Sequence, residues 1–230
     1  MSVFRSRVSY QLKKCPLNRG SFRMESKAAS SRSTVSVVPA QVRSHVSSSP
    51  LYWTDPDAWI DRMRGVDRLV FHAHLHLAPA LGAARGVLTN ARDSYDVDER
   101  DNAVAVATHG PAIGGVFRDE IWERFRLGQV YGVIDENTAQ GVIQNPYLRA
   151  MPDMPADATV PALMQRGVQF IACNVAMRKL ARRLAGPTGD AEATHLALLG
   201  GVVPGTIVVP DVYVALSHAQ QRGVSYVYID

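Results

Sequence analysis

Three histidines at alternate positions are the first residues here whose types and spacing could do chemistry. His72, His74 and His76 occupy every second position of Val70-Phe-His72-Ala-His74-Leu-His76. On a β-strand this period places the three imidazoles on one face, where they could ligate a divalent metal ion. They could equally serve as acid–base groups or be packed and hydrogen bonded. These interpretations stay open, and a divalent metal is the one cofactor that the residues suggest.

Cys173 is the second candidate for chemistry. It directly follows the apolar run Val168-Gln-Phe-Ile-Ala172 and precedes a helical pattern that begins at Asn174. A sulfur atom between a strand and a helix faces free backbone N–H groups and the positive end of the helix dipole, which lower a thiol pKa. Buried cysteine is also a common core residue. The position predicts either a nucleophilic thiolate or a packed thiol.

His109 is the third candidate, and it also follows an apolar run. Ala103-Val-Ala-Val-Ala107 precedes it, and the glycine-rich turn Gly110-Pro-Ala-Ile-Gly114-Gly115 follows. An imidazole at such a strand end could act as a general acid or base. The turn has neither the G-x-G-x-x-G spacing nor a Walker lysine. The chain also contains no G-x-S-x-G elbow and no C-x-x-C pair, which argues against hydrolase and thioredoxin chemistry.

Alternating strands and helices must position these candidates. Apolar runs predict five strands, over residues 67–74, 103–107, 168–172, 206–209 and 225–229, with helical patterns between them. This alternation predicts a single α/β domain with a mainly parallel five-stranded sheet and helices on both faces. Chemistry in such sheets lies beyond the carboxyl ends of the strands. Cys173, His109 and the histidine strand are therefore expected at one edge of the sheet.

The charge of the chain is distributed unevenly. Residues 1–50 contain nine Lys or Arg and one acidic residue, are rich in serine and show no apolar period. We expect a disordered basic tail over 1–50 and the folded domain over 51–230. Since the excess positive charge lies in the tail, no nucleic-acid partner is predicted. No apolar run is long enough for a membrane span. A cytoplasmic protein is expected, although the tail composition also suits a cleavable targeting segment.

Several sequence blocks together resemble the DsrE-like sulfur-relay family over roughly residues 66–230. They are Phe170-Ile-Ala-Cys173-Asn174, Gly205-Thr-Ile-Val-Val-Pro210, Gln220-Gln-Arg-Gly223-Val-Ser-Tyr226, Thr108-His109-Gly110, the predicted helix from Asp119 to Leu127 with Gly128 after it, and Asn145-Pro146. The last three are similar to a branch of bacterial proteins whose function is poorly defined. The histidine strand is not a feature that the resemblance explains.

The resemblance implies a DsrE-like fold that assembles into trimers or hexamers. It also implies that a cysteine carries sulfur as a persulfide between a donor protein and an acceptor protein. Cys173 lies in the block that resembles the cysteine-bearing one. On this hypothesis Cys173 accepts a sulfane sulfur, His109 (with His72 or His74) donates or accepts the proton, and the Asn174 N–H stabilises the thiolate.

Two other hypotheses come from different functional classes. The first is an oligomeric module that binds a metal ion or a small ligand through His72, His74 and His76 or His109. The second is a non-catalytic subunit in which Cys173 is packed, with Trp122, Phe125 and Tyr131 as subunit contacts. The sequence does not decide between stoichiometric carriage and catalytic turnover.

Overall fold

Five parallel strands make one sheet in the computed structural model, which describes residues 55–135 and 138–229. The strands are β1 (Asp67–Ala73), β2 (Asn102–Thr108), β3 (Gln169–Cys173), β4 (Ile207–Val209) and β5 (Ser225–Ile229). They lie in the order β4-β3-β2-β1-β5, and each neighbouring pair is parallel. The predicted α/β fold with a parallel five-stranded sheet is confirmed. The predicted tail over 1–50 lies outside the described residues.

Eight α-helices surround the sheet within the described part of the chain. They are α1 (Ala58–Arg62), α2 (Ala78–Tyr95), α3 (Asp119–Phe125), α4 (Leu127–Tyr131), α5 (Val160–Gln165), α6 (Asn174–Ala185), α7 (Ala191–Gly200) and α8 (Val212–Gln221). α2 packs on β1 and β2, and α8 packs on β3 and β5. The turn after β2 continues as a 3₁₀ helix, Gly110–Val116. No helix among these residues is long and apolar enough to cross a membrane.

The middle of the sheet is covered on both faces. Consecutive residues of β2, from Val104 to Ala107, are all buried, and so are those of β3 from Phe170 to Cys173. Side chains alternate between the two faces of a strand, so burial of consecutive residues requires packing on both sides. This explains why the two strands appear in the sequence as unbroken apolar runs.

The strand register shows which candidate residues share a face. His72 of β1 lies beside Ala107 of β2 and Tyr228 of β5, and Ala107 lies beside Ile171 of β3. Residues in register on parallel strands point to the same side, and so does the residue two positions further on. Cys173 therefore shares the face of His72. The His72 ring contacts Tyr213 of α8, so this is the face that α8 covers.

Two predicted elements end earlier than the sequence indicates. The predicted strand over 67–74 stops at Ala73. The predicted helix over 119–127 stops at Phe125, because Arg126 takes a left-handed conformation (φ 50°) before α4 begins. Trp122 on α3 is fully buried, and its Nε1–H donates to the Gly114 carbonyl at 2.8 Å. As a core residue it is not available as a subunit contact.

Candidate functional site

The carboxyl ends of β1 and β2 bring two of the candidate histidines together. His74 follows the last residue of β1, and His109 follows the last residue of β2. Their imidazole rings stack with centroids 5.2 Å apart and an interplanar angle of 23°. Tyr213 of α8 lies 5.0 Å from the His109 ring. The expectation that these histidines gather at one edge of the sheet is confirmed.

Of the three histidines predicted to lie on one strand, only His72 lies within β1. β1 ends at Ala73 and the chain bends away toward α2, so the period of two does not continue past His72. His72 is buried under α8, where its Nδ1 lies 3.1 Å from Tyr226 Oη. His74 lines a cleft with His109, while His76 lines a neighbouring pocket.

This divergence bears on the predicted metal site. Across residues 55–135 and 138–229, no group of three or more His, Cys, Asp or Glu side chains is arranged to hold a metal ion. The ring of His72 does come within 6.1 Å of the ring of His109. A divalent metal at these histidines stays a prediction.

A cleft of about 250 Å³ opens beside the stacked histidines. It is lined by residues from the ends of β1 and β2, by one face of α6 and by Tyr131. They are His74, His109, Gly110, Pro111, Tyr131, Ala176, Lys179, Leu180 and Arg183. The α6 residues follow the spacing that places side chains on one face of a helix. We call His74, His109, Lys179 and Arg183 the cationic cleft. It presents two imidazoles, one ammonium and one guanidinium to the same space.

The charge around His109 disfavours its protonation. Burial lowers the pKa of His109, and the nearby His74 and Lys179 lower it further, whereas Asp211 acts in the opposite direction. The Nδ1 atom of His109 is buried and has no hydrogen-bond partner among the described residues. His109 is therefore neutral near pH 7, in a positively charged setting that favours an anion.

Glycine at position 110 allows the close approach of His74. A Cβ atom at Gly110 would lie 2.4 Å from His74 Cδ2 and 2.6 Å from His74 Nε2. Gly110 also has a φ of 54°, which is unfavourable for residues with a side chain. The His74 ring can therefore occupy the cleft only because the turn after β2 begins with glycine.

Cys173 lies on the predicted junction between β3 and α6 but is not an exposed thiolate. Its side chain is buried, with the residue only 1% exposed. The nearby backbone N–H groups of Val212, Ala176 and Val175 act to lower the thiol pKa, as the sequence argument expects. Burial has the larger effect, and the pKa of Cys173 is raised. The expectation of a lowered pKa is therefore wrong.

Asn174 makes a side-chain contact that the sequence does not predict. Stabilisation of a Cys173 thiolate by the Asn174 backbone N–H stays a prediction. Its side-chain Oδ1 lies 2.7 Å from Nε2 of His195 on α7. His195 is buried, and burial lowers its pKa. The Asn174 side chain therefore joins α6 to α7.

Sequence reasoning missed several residues of the site. Lys179 and Arg183 are visible in the sequence as part of a cationic helix, and their spacing places them on one face. Nothing in the sequence indicates that this face meets His109. Asp211 and Tyr213 enter the site because α8 crosses the sheet, which local patterns do not show.

Comparison with known proteins identifies no family. No protein-family model matches the chain, and no curated protein is similar to it. A solved structure of a protein of unknown function from Methanobacterium thermoautotrophicum is similar to 71% of this chain over 99% of its own length. The identity is 16% and the TM-score is 0.37.

Proposed function

We propose that this protein binds a small anion in the cationic cleft. The observation that carries the proposal is the convergence of His74, His109, Lys179 and Arg183 on one space at the carboxyl edge of the sheet. Lysine and arginine donate charge-assisted hydrogen bonds to oxyanions. Two imidazoles beside them can donate or accept protons at a bound ligand.

Titration calorimetry with sulfate tests this proposal, because sulfate keeps the same charge across the neutral pH range. We expect sulfate to bind the wild-type chain and to bind Lys179→Ala and Arg183→Ala about tenfold more weakly, as expected when one charge-assisted contact is lost. Arg182→Ala is the matched control, since exposed Arg182 lies on the same helix but does not line the cleft. Absence of any binding at millimolar sulfate would refute the proposal.

We propose sulfur carriage at Cys173 as a second candidate function. Three backbone N–H groups, two from the start of α6 and one from the start of α8, lie near the sulfur and act to lower the thiol pKa. The same groups would stabilise the negative charge of a persulfide. In the loading step the deprotonated Cys173 sulfur bonds to one sulfur of a polysulfide dianion, and the remaining chain leaves one sulfur shorter with the electron pair. We propose His109, which follows the neighbouring strand β2, as the base that takes the thiol proton.

Mass spectrometry after incubation with polysulfide tests the second candidate. A Cys15→Ser variant leaves Cys173 as the one thiol of the chain. We expect a gain of one sulfur atom on Cys173, which a thiol reductant then removes. A Cys173 that stays unmodified in the folded protein while gaining sulfur after unfolding would refute sulfur carriage.

We also propose that the chain assembles with copies of itself, as the predicted trimer or hexamer requires. In the described part of the chain, β5 pairs with β1 alone and forms one edge of the sheet. Tyr226, Val227 and Tyr228 on this edge are 37%, 39% and 49% exposed. Consecutive apolar residues on an open edge are unusual for a monomer, because such an edge readily pairs with another chain.

A further inference from the structure

A second compartment adjoins the cationic cleft. It also measures about 250 Å³, and it shares Pro111, Tyr131 and Arg183 with the cleft. Its other walls include Trp122, Val130, Val133 and Tyr147. We call this space the apolar compartment, because its lining includes these aromatic and valine residues together with Leu75 and Pro111. Arg183 lies between the two compartments, where one Nη atom donates to the Val130 carbonyl at 3.2 Å.

The aromatic walls are held in place by packing. The buried Trp122 is fixed by its hydrogen bond to the Gly114 carbonyl. Tyr131 lies so close to Gly114 that a Cβ atom there would be 2.4 Å from its Cε2. The Trp122 and Tyr131 rings are 6.2 Å apart with an interplanar angle of 55°. Packing therefore holds the Trp122 and Tyr131 side chains in place at the compartment, as in the largely pre-formed sites that bind small molecules.

The residues shared by the two compartments suit the polar end of a ligand. Tyr131 Oη is buried and has no hydrogen-bond partner among residues 55–135 and 138–229. Burial also raises the pKa of Tyr131, so its hydroxyl keeps its proton and can donate it. An anionic oxygen near the junction could accept from Tyr131 and from the Arg183 guanidinium. Because buried donors are normally hydrogen bonded, the Tyr131 hydroxyl favours a ligand that places an acceptor atom beside it.

We infer that the ligand of this site is a small organic anion that carries one flat apolar group, such as an aryl ring. The anionic group occupies the cationic cleft, and the ring occupies the apolar compartment beside Tyr131 and Tyr147. This inference rests on the proposed anion-binding function and specifies its ligand class. The apolar compartment, at about 250 Å³, is large enough for an aryl ring, because a cavity of about 150 Å³ can hold benzene.

Two sulfonates that differ only in the apolar group test this inference. Methanesulfonate and benzenesulfonate carry the same charge at neutral pH, so titration calorimetry isolates the contribution of the ring. We expect benzenesulfonate to bind at least about tenfold more tightly, which burial of roughly 60 Å² of ring surface would produce. Val133→Phe fills the apolar compartment, and it should remove this advantage while leaving methanesulfonate affinity unchanged.

Ile134→Phe is the control for added aromatic volume. Ile134 is the next residue in the chain, is exposed and does not line the apolar compartment. We expect Val133→Phe and Ile134→Phe to unfold at the same temperature as the wild-type chain, which thermal unfolding checks before the titrations. We expect Ile134→Phe to retain the preference for benzenesulfonate.

The outcomes separate this inference from the function on which it rests. If sulfate and methanesulfonate bind but benzenesulfonate binds no more tightly, the ligand class is wrong and anion binding stands. A benzenesulfonate preference that survives Val133→Phe places the ring elsewhere and also overturns the inference. If neither sulfate nor either sulfonate binds, both proposals are refuted.

Discussion

At the scale of single residues, burial and neighbouring charges together lower the pKa of His109. Burial, His74 and Lys179 lower its pKa, while Asp211 opposes them. Tyr213 covers the ring from the α8 side. A bound anion would reverse this balance, because it favours the protonated imidazole. Anion binding and proton uptake at His109 should therefore be linked.

We predict that sulfate affinity increases as the pH falls from 8 to 5.5, by up to about tenfold per unit where one proton is taken up on binding. Calorimetry in two buffers with different ionisation enthalpies counts that proton. In His109→Asn the pH dependence should be much weaker. An affinity that is independent of pH, or that increases with pH, would contradict the linkage.

Without a bound anion, lowering the pH has an unfavourable effect: it reduces the stability of the folded protein. The folded pKa of His109 lies below the unfolded value of about 6.5. Below that pH the unfolded chain binds a proton that the folded chain does not, so the free energy of unfolding falls as the pH falls. Thermal unfolding at pH 7 and 5.5 should show this loss, and sulfate should reduce it.

Cys173 should react slowly in the folded protein, because it is buried and its pKa is raised. Using Cys15→Ser, we predict that iodoacetamide alkylates Cys173 at pH 7.5 at least about tenfold more slowly than the urea-unfolded chain. Mass spectrometry of timed samples gives both rates. Equal rates would show that reagents reach the thiol in the folded state.

The location of Cys173 could be predicted from the sequence, but its ionisation could not. An apolar run followed by a helical pattern is local information, and it places the sulfur correctly at the end of β3. The raised pKa depends on how completely α8 and the sheet bury the thiol. Val212 and Asp211, which affect this pKa, are distant in sequence.

At the scale of elements, the turn after β2 sets the shape of the cationic cleft. Gly110→Ala would introduce two defects: a Cβ atom against His74 and an unfavourable φ. Gly132→Ala is the matched control, because Gly132 also has a positive φ (69°) but nothing lies within 4 Å of its Cβ position.

We predict that both substitutions lower the free energy of unfolding by about 1–2 kcal/mol through backbone strain, with a greater loss for Gly110→Ala. Only Gly110→Ala should also weaken sulfate binding, because it displaces His74. Urea unfolding and calorimetry measure the two effects. Equal sulfate affinity in both variants would show that the position of His74 does not affect sulfate binding.

The existence and type of the strands could be predicted from the sequence, but the end of β1 could not. Alternation of polar and apolar residues continues through His76 and gives no signal to stop. The strand ends where its partner does, since Ala73 pairs with Thr108, the last residue of β2. Strand length is therefore set by a neighbour that is about 35 residues away in the chain, as expected for parallel pairing.

At the scale of the whole molecule, the exposed edge strand leads to a prediction about assembly. We predict that the chain is oligomeric in light scattering coupled to size-exclusion chromatography. Val227→Lys places a charge on the β5 edge and should shift the population toward monomer. Val66→Lys, at another exposed apolar position, should not. A wild-type monomer at micromolar concentration would refute assembly through β5.

The sheet order has a consequence for how the chain folds. β4 and β5 lie at opposite edges, so α8 must cross the sheet before β5 can pair with β1. The contact between His72 and Tyr226 spans 154 residues, and such distant pairings form late because closing long loops is entropically costly. Until α8 docks, the Cys173 sulfur lacks the neighbouring Val212 backbone. Protection of this thiol therefore reports completion of folding, and a nascent chain is more open to oxidation than the mature protein.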